Sequence, residues 1–136
     1  MNKIREETIN CIIKGSGFTL PSELVSQSLE EDGWTVHPVF FQDKLIGGII
    51  EKEGSIHTSI VPEYQKKWNP RPYIKSILYP ALLKYKILYS DALKNDSRAI
   101  RWLTKLGFIF LKSDSERIYF QLKNLKPRYL NVLEFN

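Results

Sequence analysis

The sequence predicts an α+β fold, a single domain with a mixed, mostly antiparallel sheet and helices on both faces. Three observations carry the prediction. Residues 34–61 hold three segments rich in β-branched and aromatic residues, separated by the short polar turns Asp43-Lys44 and Lys52-Glu53-Gly54, which is the pattern of an antiparallel meander. Tyr73, Ile74, Ile77, Leu78, Ala81, Leu82 and Tyr85 then recur at offsets of three and four, the spacing of an amphipathic helix. The rest alternates strand, helix and a closing strand pair, and a meander followed by such alternation gives a mixed sheet.

Each element has a local reason. Residues 6–13 suit either a helix or a strand, and Gly15-Ser16-Gly17 interrupts them. A helix is expected over 21–29, where Pro21 fits a first turn and Leu24, Val25 and Leu29 share a face. Strands follow over 34–41, 45–51 and 55–61, and Gly47-Gly48 in the second marks a bulge or a close approach of other backbone. Pro72 begins the long helix, while Pro80 lies inside it and should kink it or end it early. Residues 87–90 form a short buried strand. Asp96 or Ser97 caps the last helix, whose apolar face is Ala99, Ile100, Trp102, Leu103 and Leu106. Gly107 stops that helix in a left-handed conformation, Phe108 to Leu111 reads as a buried strand, and Ser113-Asp114-Ser115 turns into a last strand over 117–122. The domain therefore divides into a helical part (1–33), the sheet with two main helices (34–121) and a tail (122–136).

Composition narrows the setting. The length of 136 residues suits one domain. No apolar run approaches the roughly 20 residues that span a bilayer, and the charged start MNKIREETIN argues against a secretory signal. The lone Cys11 has no partner for an internal disulfide, so a reducing, cytoplasmic setting is expected. The net charge of +5 is unevenly spread: residues 1–63 carry −5 and residues 64–136 carry +10. Such a field attracts phosphates of a nucleotide cofactor or a nucleic acid, or simply marks solvated helix faces.

The segment DSRAIRWLTKLGFIFL, with its polar cap, Ala-Ile, apolar helix face and Leu-Gly-Phe, resembles the last helix and following strand of the GNAT acetyltransferases. The element order matches theirs over roughly residues 34–121, without the usual first strand unless 6–13 supply it. Val61-Pro62-Glu63-Tyr64-Gln65-Lys66-Lys67 resembles the start of the family loop V-x-P-x-x-R/Q-x-x-G-x-G/A, which aims backbone N–H groups at the pyrophosphate of acetyl-CoA. The resemblance implies acetyl transfer from acetyl-CoA to an amine or protein acceptor, with Val61, Gln65, Lys66, Lys67, Trp68, Arg71 and Asp96 at cofactor-binding positions. Trp68 replaces the first family glycine, and Asn69-Pro70-Arg71-Pro72 contains none. Either the cations replace the missing amide donors, or the loop has lost the cofactor and its basic residues meet water or a protein.

The same resemblance places Leu103 where the family keeps a tyrosine acid. Tyr64 and Tyr89 are the substitutes, and His57, Glu51 and Glu53 are the candidate bases, His57 having the best intrinsic pKa for the task. A leucine at that position also resembles the short GNAT-like proteins of tailed bacteriophages, including a small internal virion protein of podoviruses. That implies a noncatalytic alternative in virion assembly or protein binding, in the host cytoplasm or the virion. The tail's Leu130, Val132, Leu133 and Phe135 are apolar enough to pack on the domain or on a second subunit. Arg98, Arg101 and Lys105 form one basic helix stripe, but no nucleic-acid motif accompanies it. No metal-ligand spacing is present, and a nucleotide-type glycine loop is absent as well.

Overall fold

The structure, a computed structural model, describes residues 3–16 and 21–129. Its elements are α1 (Lys3–Ser16), α2 (Ser22–Glu31), β1 (Thr35–Phe41), β2 (Lys44–Lys52), β3 (Ser55–Ile60), a 3₁₀ turn (Pro62–Tyr64), α3 (Arg71–Tyr73), a π-turn (Ile74–Leu78), α4 (Tyr79–Tyr85), β4 (Leu88–Leu93), α5 (Ser97–Leu106), β5 (Ile109–Ser113) and β6 (Arg117–Leu122). The strands hydrogen-bond in the order β1-β2-β3-β4-β6-β5, a mixed sheet in which β3 and β4 pair in parallel and the pairs β1/β2, β4/β6 and β5/β6 are antiparallel. Contacts gather into two compact units: one runs to Lys52 and resumes over Ile56–Asn69, and the other takes Glu53–Ser55 and everything from Pro70.

In the first unit, residues 6–13 are helical, so the described residues contain no strand ahead of the meander. Thr8, Ile9 and Ile12 form the buried stripe of α1. The helix sits against β2 because Gly48 has no side chain: a Cβ there would lie 2.7 Å from Ile12 Cδ1 and 2.8 Å from Thr8 Cγ2. Gly47 meets the Ser59 carbonyl in the same way, and a Cβ on Gly15 would lie 2.7 Å from the Ile60 carbonyl oxygen. Close approach is therefore what the glycine pair provides, and a bulge lies beside it. Val39 pairs with Gly47 but Phe40 pairs with Leu45, which leaves Ile46 as the extra residue. The turn into β2 is made by Gln42 and Asp43, both at positive φ. In α2, Leu24 is exposed and Ser26 is the buried residue, so the expected apolar face holds only for the partly buried Val25 and Leu29.

In the second unit, the helical path continues through Pro80. Tyr79 N–H donates to the Ile74 carbonyl, five residues back, so the turn before the proline widens and Pro80 falls in the first turn of α4, where a missing N–H is tolerated. β4 is longer than expected and alternates, with Leu88, Ser90 and Ala92 buried. α5 begins and ends as its sequence requires. The Asp96 carboxylate accepts the Ala99 N–H at 3.0 Å, and Gly107, at φ 121°, donates to Thr104 O while Phe108 N–H reaches back to Leu103 O. The strand after it departs from expectation. Phe108 is buried, but Ile109, Phe110 and Leu111 are exposed because β5 ends the sheet order.

The β5–β6 turn is held by one carboxylate. Asp114 accepts N–H bonds from Glu116 (2.9 Å) and Arg117 (2.8 Å) and the Tyr119 hydroxyl (2.8 Å), which lowers its pKa to about 2. Because that folded value lies below the ordinary 3.8, the charged carboxylate stabilises the fold above pH 3.8 and loses that effect as pH falls through about 2. Asp114→Asn should flatten the acid limb of a melting-temperature-against-pH curve over this window. Gly107→Ala should lose at least about 1–2 kcal/mol in a denaturant titration, since a Cβ there also lies 2.7 Å from the Asn124 carbonyl oxygen.

Candidate functional site

The loop leaving β3 starts from a fixed point. Val61 is buried, its N–H donates to the Ile46 carbonyl at 2.8 Å, and Gly15 and Gly47, where a side chain would collide with it, let the adjoining Ile60 backbone lie close. The chain then closes into tight turns. Tyr64 N–H donates to Val61 O, Gln65 N–H to Pro62 O, and the N–H groups of Lys67 and Trp68 both to Tyr64 O. Four amides that could face an anion are thus engaged within the loop, and Pro62 has none. The Gln65 side chain turns inward, its Nε2 donating to the Ile60 carbonyl at 3.0 Å. Lys66 and Lys67 are exposed and Trp68 is half-buried.

Tyr64 is packed rather than free to swing. Its ring lies 5.8 Å from that of Phe41, with Lys44 Nζ 5.2 Å and Lys67 Nζ 5.9 Å from its centroid. The aromatic pair ties the loop to the end of β1, and the two cations sit where the ring's negative faces attract them.

The candidate bases lie on the meander. His57 is half-buried on β3, with the Trp34 ring 5.6 Å away and tilted by 55°. Glu51 is bonded to a residue that sequence reasoning missed: His37 Nε2 lies 2.9 Å from Glu51 Oε1. Such a carboxylate fixes the ring's orientation and favours one tautomer. The sequence carried a signal for this pair, the β1–β2 hairpin, but counting back from its tight turn puts His37 opposite Gly48 and on the other face from Glu51. The bulge at Ile46 shifts the register by one, so that His37 opposes Ile49 and Thr35 opposes Glu51. His37 and Glu51 then share a face.

The remaining positions belong to the second unit. Arg71 is exposed at the first residue of α3, flanked by Pro70 at the cap and Pro72, and the Tyr73 and Ile74 N–H groups both return to Pro70 O. The Asp96 carboxylate is engaged as the α5 cap. Leu103 is 7% exposed and belongs to the core face of its helix. Tyr89 is exposed on β4. Among the described residues no group of three His, Cys, Asp or Glu is placed to hold a metal ion, and no helix is long and apolar enough to cross a membrane.

No family model matches this sequence, and no curated protein matches it either. Solved structures do. PH1933 of Pyrococcus horikoshii superposes with a TM-score of 0.71 at 13% identity, covering 93% of this chain and 94% of its own. A Desulfovibrio desulfuricans protein assigned to the GNAT acetyltransferase family gives 0.65 at 16% identity, over 90% and 94% of the two chains. The N-acetyltransferase PseH of Campylobacter jejuni, solved with acetyl coenzyme A, gives 0.62 at 20% identity, over 91% and 93%. At these identities the likeness is one of architecture, and it agrees with the element order and with the helix that stops at Gly107: the chain has the GNAT fold.

Proposed function

We propose that this chain is a GNAT-type acetyltransferase that moves an acetyl group from acetyl-CoA to a primary amine. The observation that supports this most directly is the pair of exposed cations, Lys66 and Lys67, on the turn that follows β3. The fit to a pyrophosphate is one of side-chain charge. With the amides of Tyr64, Gln65, Lys67 and Trp68 already donating inside the loop, ammonium groups take the place that backbone donors hold in the family pattern. Arg71 adds a third positive charge shortly afterwards in the sequence. Val61 and Gln65 anchor the loop, Trp68 stands half-buried at its end, and Asp96 holds the start of α5 through its cap.

Acetyl-CoA supplies the activated thioester, and this chain's residues handle protons. A primary amine arrives as an ammonium ion and attacks only after losing a proton, which His57 accepts in this reading. Glu51, oriented by His37, is the other candidate. The leaving thiolate needs a proton, and in this reading Tyr64, which carries the hydroxyl of the cationic loop, supplies it.

Acetyl-CoA at 100 times its dissociation constant should stabilise the protein by about 2.7 kcal/mol, read as a rise in melting temperature. The Lys66→Glu, Lys67→Glu double variant should lose that rise while melting normally without ligand. No shift at millimolar cofactor would sink the enzyme reading. Where binding is seen, His57→Ala or Glu51→Gln should lower turnover by on the order of 10²–10⁴-fold, and unchanged turnover in both would remove these residues from the mechanism.

One observation favours a second reading. Leu103 fills the acid position with a buried apolar side chain, and the loop amides are consumed internally, as expected of a GNAT-fold protein kept for its shape. The resemblance to short phage proteins makes that role one of virion assembly or protein binding. The two readings part at the cofactor titration.

A further inference from the structure

We propose that Lys44, the first residue of β2, pairs with Lys67 as a two-cation clamp for a pyrophosphate group, so that the β1–β2 turn forms a second wall of the site on the loop after β3. Lys44 lies outside the Val61 to Arg71 stretch, and the pyrophosphate expected there is that of acetyl-CoA, on the reading of this loop as the cofactor site. The ring of Tyr64 brings the two cations together: Lys44 Nζ lies 5.2 Å from its centroid and Lys67 Nζ 5.9 Å from the same point. Both side chains are exposed, and among the described residues neither ammonium is paired with a carboxylate. Two like charges gathered at one ring repel each other, and an anion that meets both removes that repulsion.

The turn is fixed to the loop without help from either lysine. Val61 N–H donates to the Ile46 carbonyl at 2.8 Å, and the Phe41 ring lies 5.8 Å from that of Tyr64. Phe41 and Lys44 are direct partners across the β1/β2 ladder, so their side chains share a face, and both meet Tyr64. Gln42 and Asp43 close the turn at φ 49° and 67° immediately before Lys44. The ammonium therefore comes from backbone held on both sides of the turn. The kind of anion follows from the chemistry of the donors. Ammonium groups on flexible stems attract charge without fixing its direction, and two of them at separate points suit an anion whose charge is spread over two linked groups. A pyrophosphate has that form, whereas a carboxylate presents one charge to one lysine. With Lys66 beside them, the cations outnumber Asp43 and Glu63, the exposed acids next to the cluster in sequence, and its net charge stays positive.

Calorimetric titration of the full chain with acetyl-CoA, and separately with inorganic pyrophosphate, tests the clamp. Lys44→Gln, at an exposed position, should weaken both ligands by about tenfold, the loss of one hydrogen bond to a charged group, while melting like the unaltered chain. Lys44→Arg should restore most of the affinity, and Tyr64→Phe, which keeps the ring, should leave affinity unchanged. The fall of affinity with salt should also be shallower in Lys44→Gln, a change that a purely structural role for Lys44 does not produce. Binding of pyrophosphate that depends on Lys44, without any binding of acetyl-CoA, supports the clamp and removes the cofactor reading. Acetyl-CoA binding that Lys44→Gln leaves at full strength overturns the clamp and leaves the cofactor reading standing. A loss in Lys44→Gln with unaltered salt dependence assigns Lys44 to packing and overturns the clamp as well. No binding of either ligand overturns both.

Discussion

The first unit depends on one steric constraint, the absence of side chains at Gly15, Gly47 and Gly48. Through Gly48 the α1 stripe of Thr8 and Ile12 reaches the face of β2, through Gly47 the end of β3 lies against the same strand, and through Gly15 the last turn of α1 reaches the Ile60 backbone. A methyl group at any of these positions would meet atoms at distances real side chains do not adopt. Burial follows from the contact: Ile9, Val39 and Ile46 are almost wholly enclosed, each worth roughly 1.5–3 kcal/mol relative to an exposed position. The position of the loop follows as well, because the segment with Lys66 and Lys67 springs from the residue after Ile60. Helix, strand and loop are thereby fixed at a single place.

That loop spends its amides on itself. In the pattern it resembles, glycines let backbone N–H groups approach a pyrophosphate; here prolines, a tryptophan and consecutive turns close the backbone, and positive charge is carried on flexible side chains instead. An ammonium supplies attraction without a fixed direction, so in the proposed function recognition by Lys66 and Lys67 would be electrostatic and sensitive to screening. The packing of Tyr64 between Phe41, Lys44 and Lys67 gives the loop the rigidity that its chemistry lacks.

Much of the fold was legible because local rules and packing agreed. Asp96, Gly107 and the apolar face between them specify α5 at three levels, and the meander showed in its turns. What escaped did so for physical reasons. The His37–Glu51 pair depends on a bulge at Ile46, an ordinary apolar residue with nothing to announce it, and one residue of register decides which face His37 takes. Pro80 announced a break, but a widened turn ahead of it absorbed the lost donor. Ile109, Phe110 and Leu111 read as buried because an apolar run carries no information about where its strand falls in the sheet order. Gln65 looked like a ligand contact by position, and its amide turns back to the Ile60 carbonyl.

The most direct test of a cofactor held by side-chain charge is the salt dependence of acetyl-CoA affinity, measured by calorimetry on the intact chain. The affinity should fall steeply as ionic strength rises, because screening weakens exposed charge pairs while leaving buried amide contacts largely untouched. Binding that is indifferent to salt, or no binding at low ionic strength, would contradict the account.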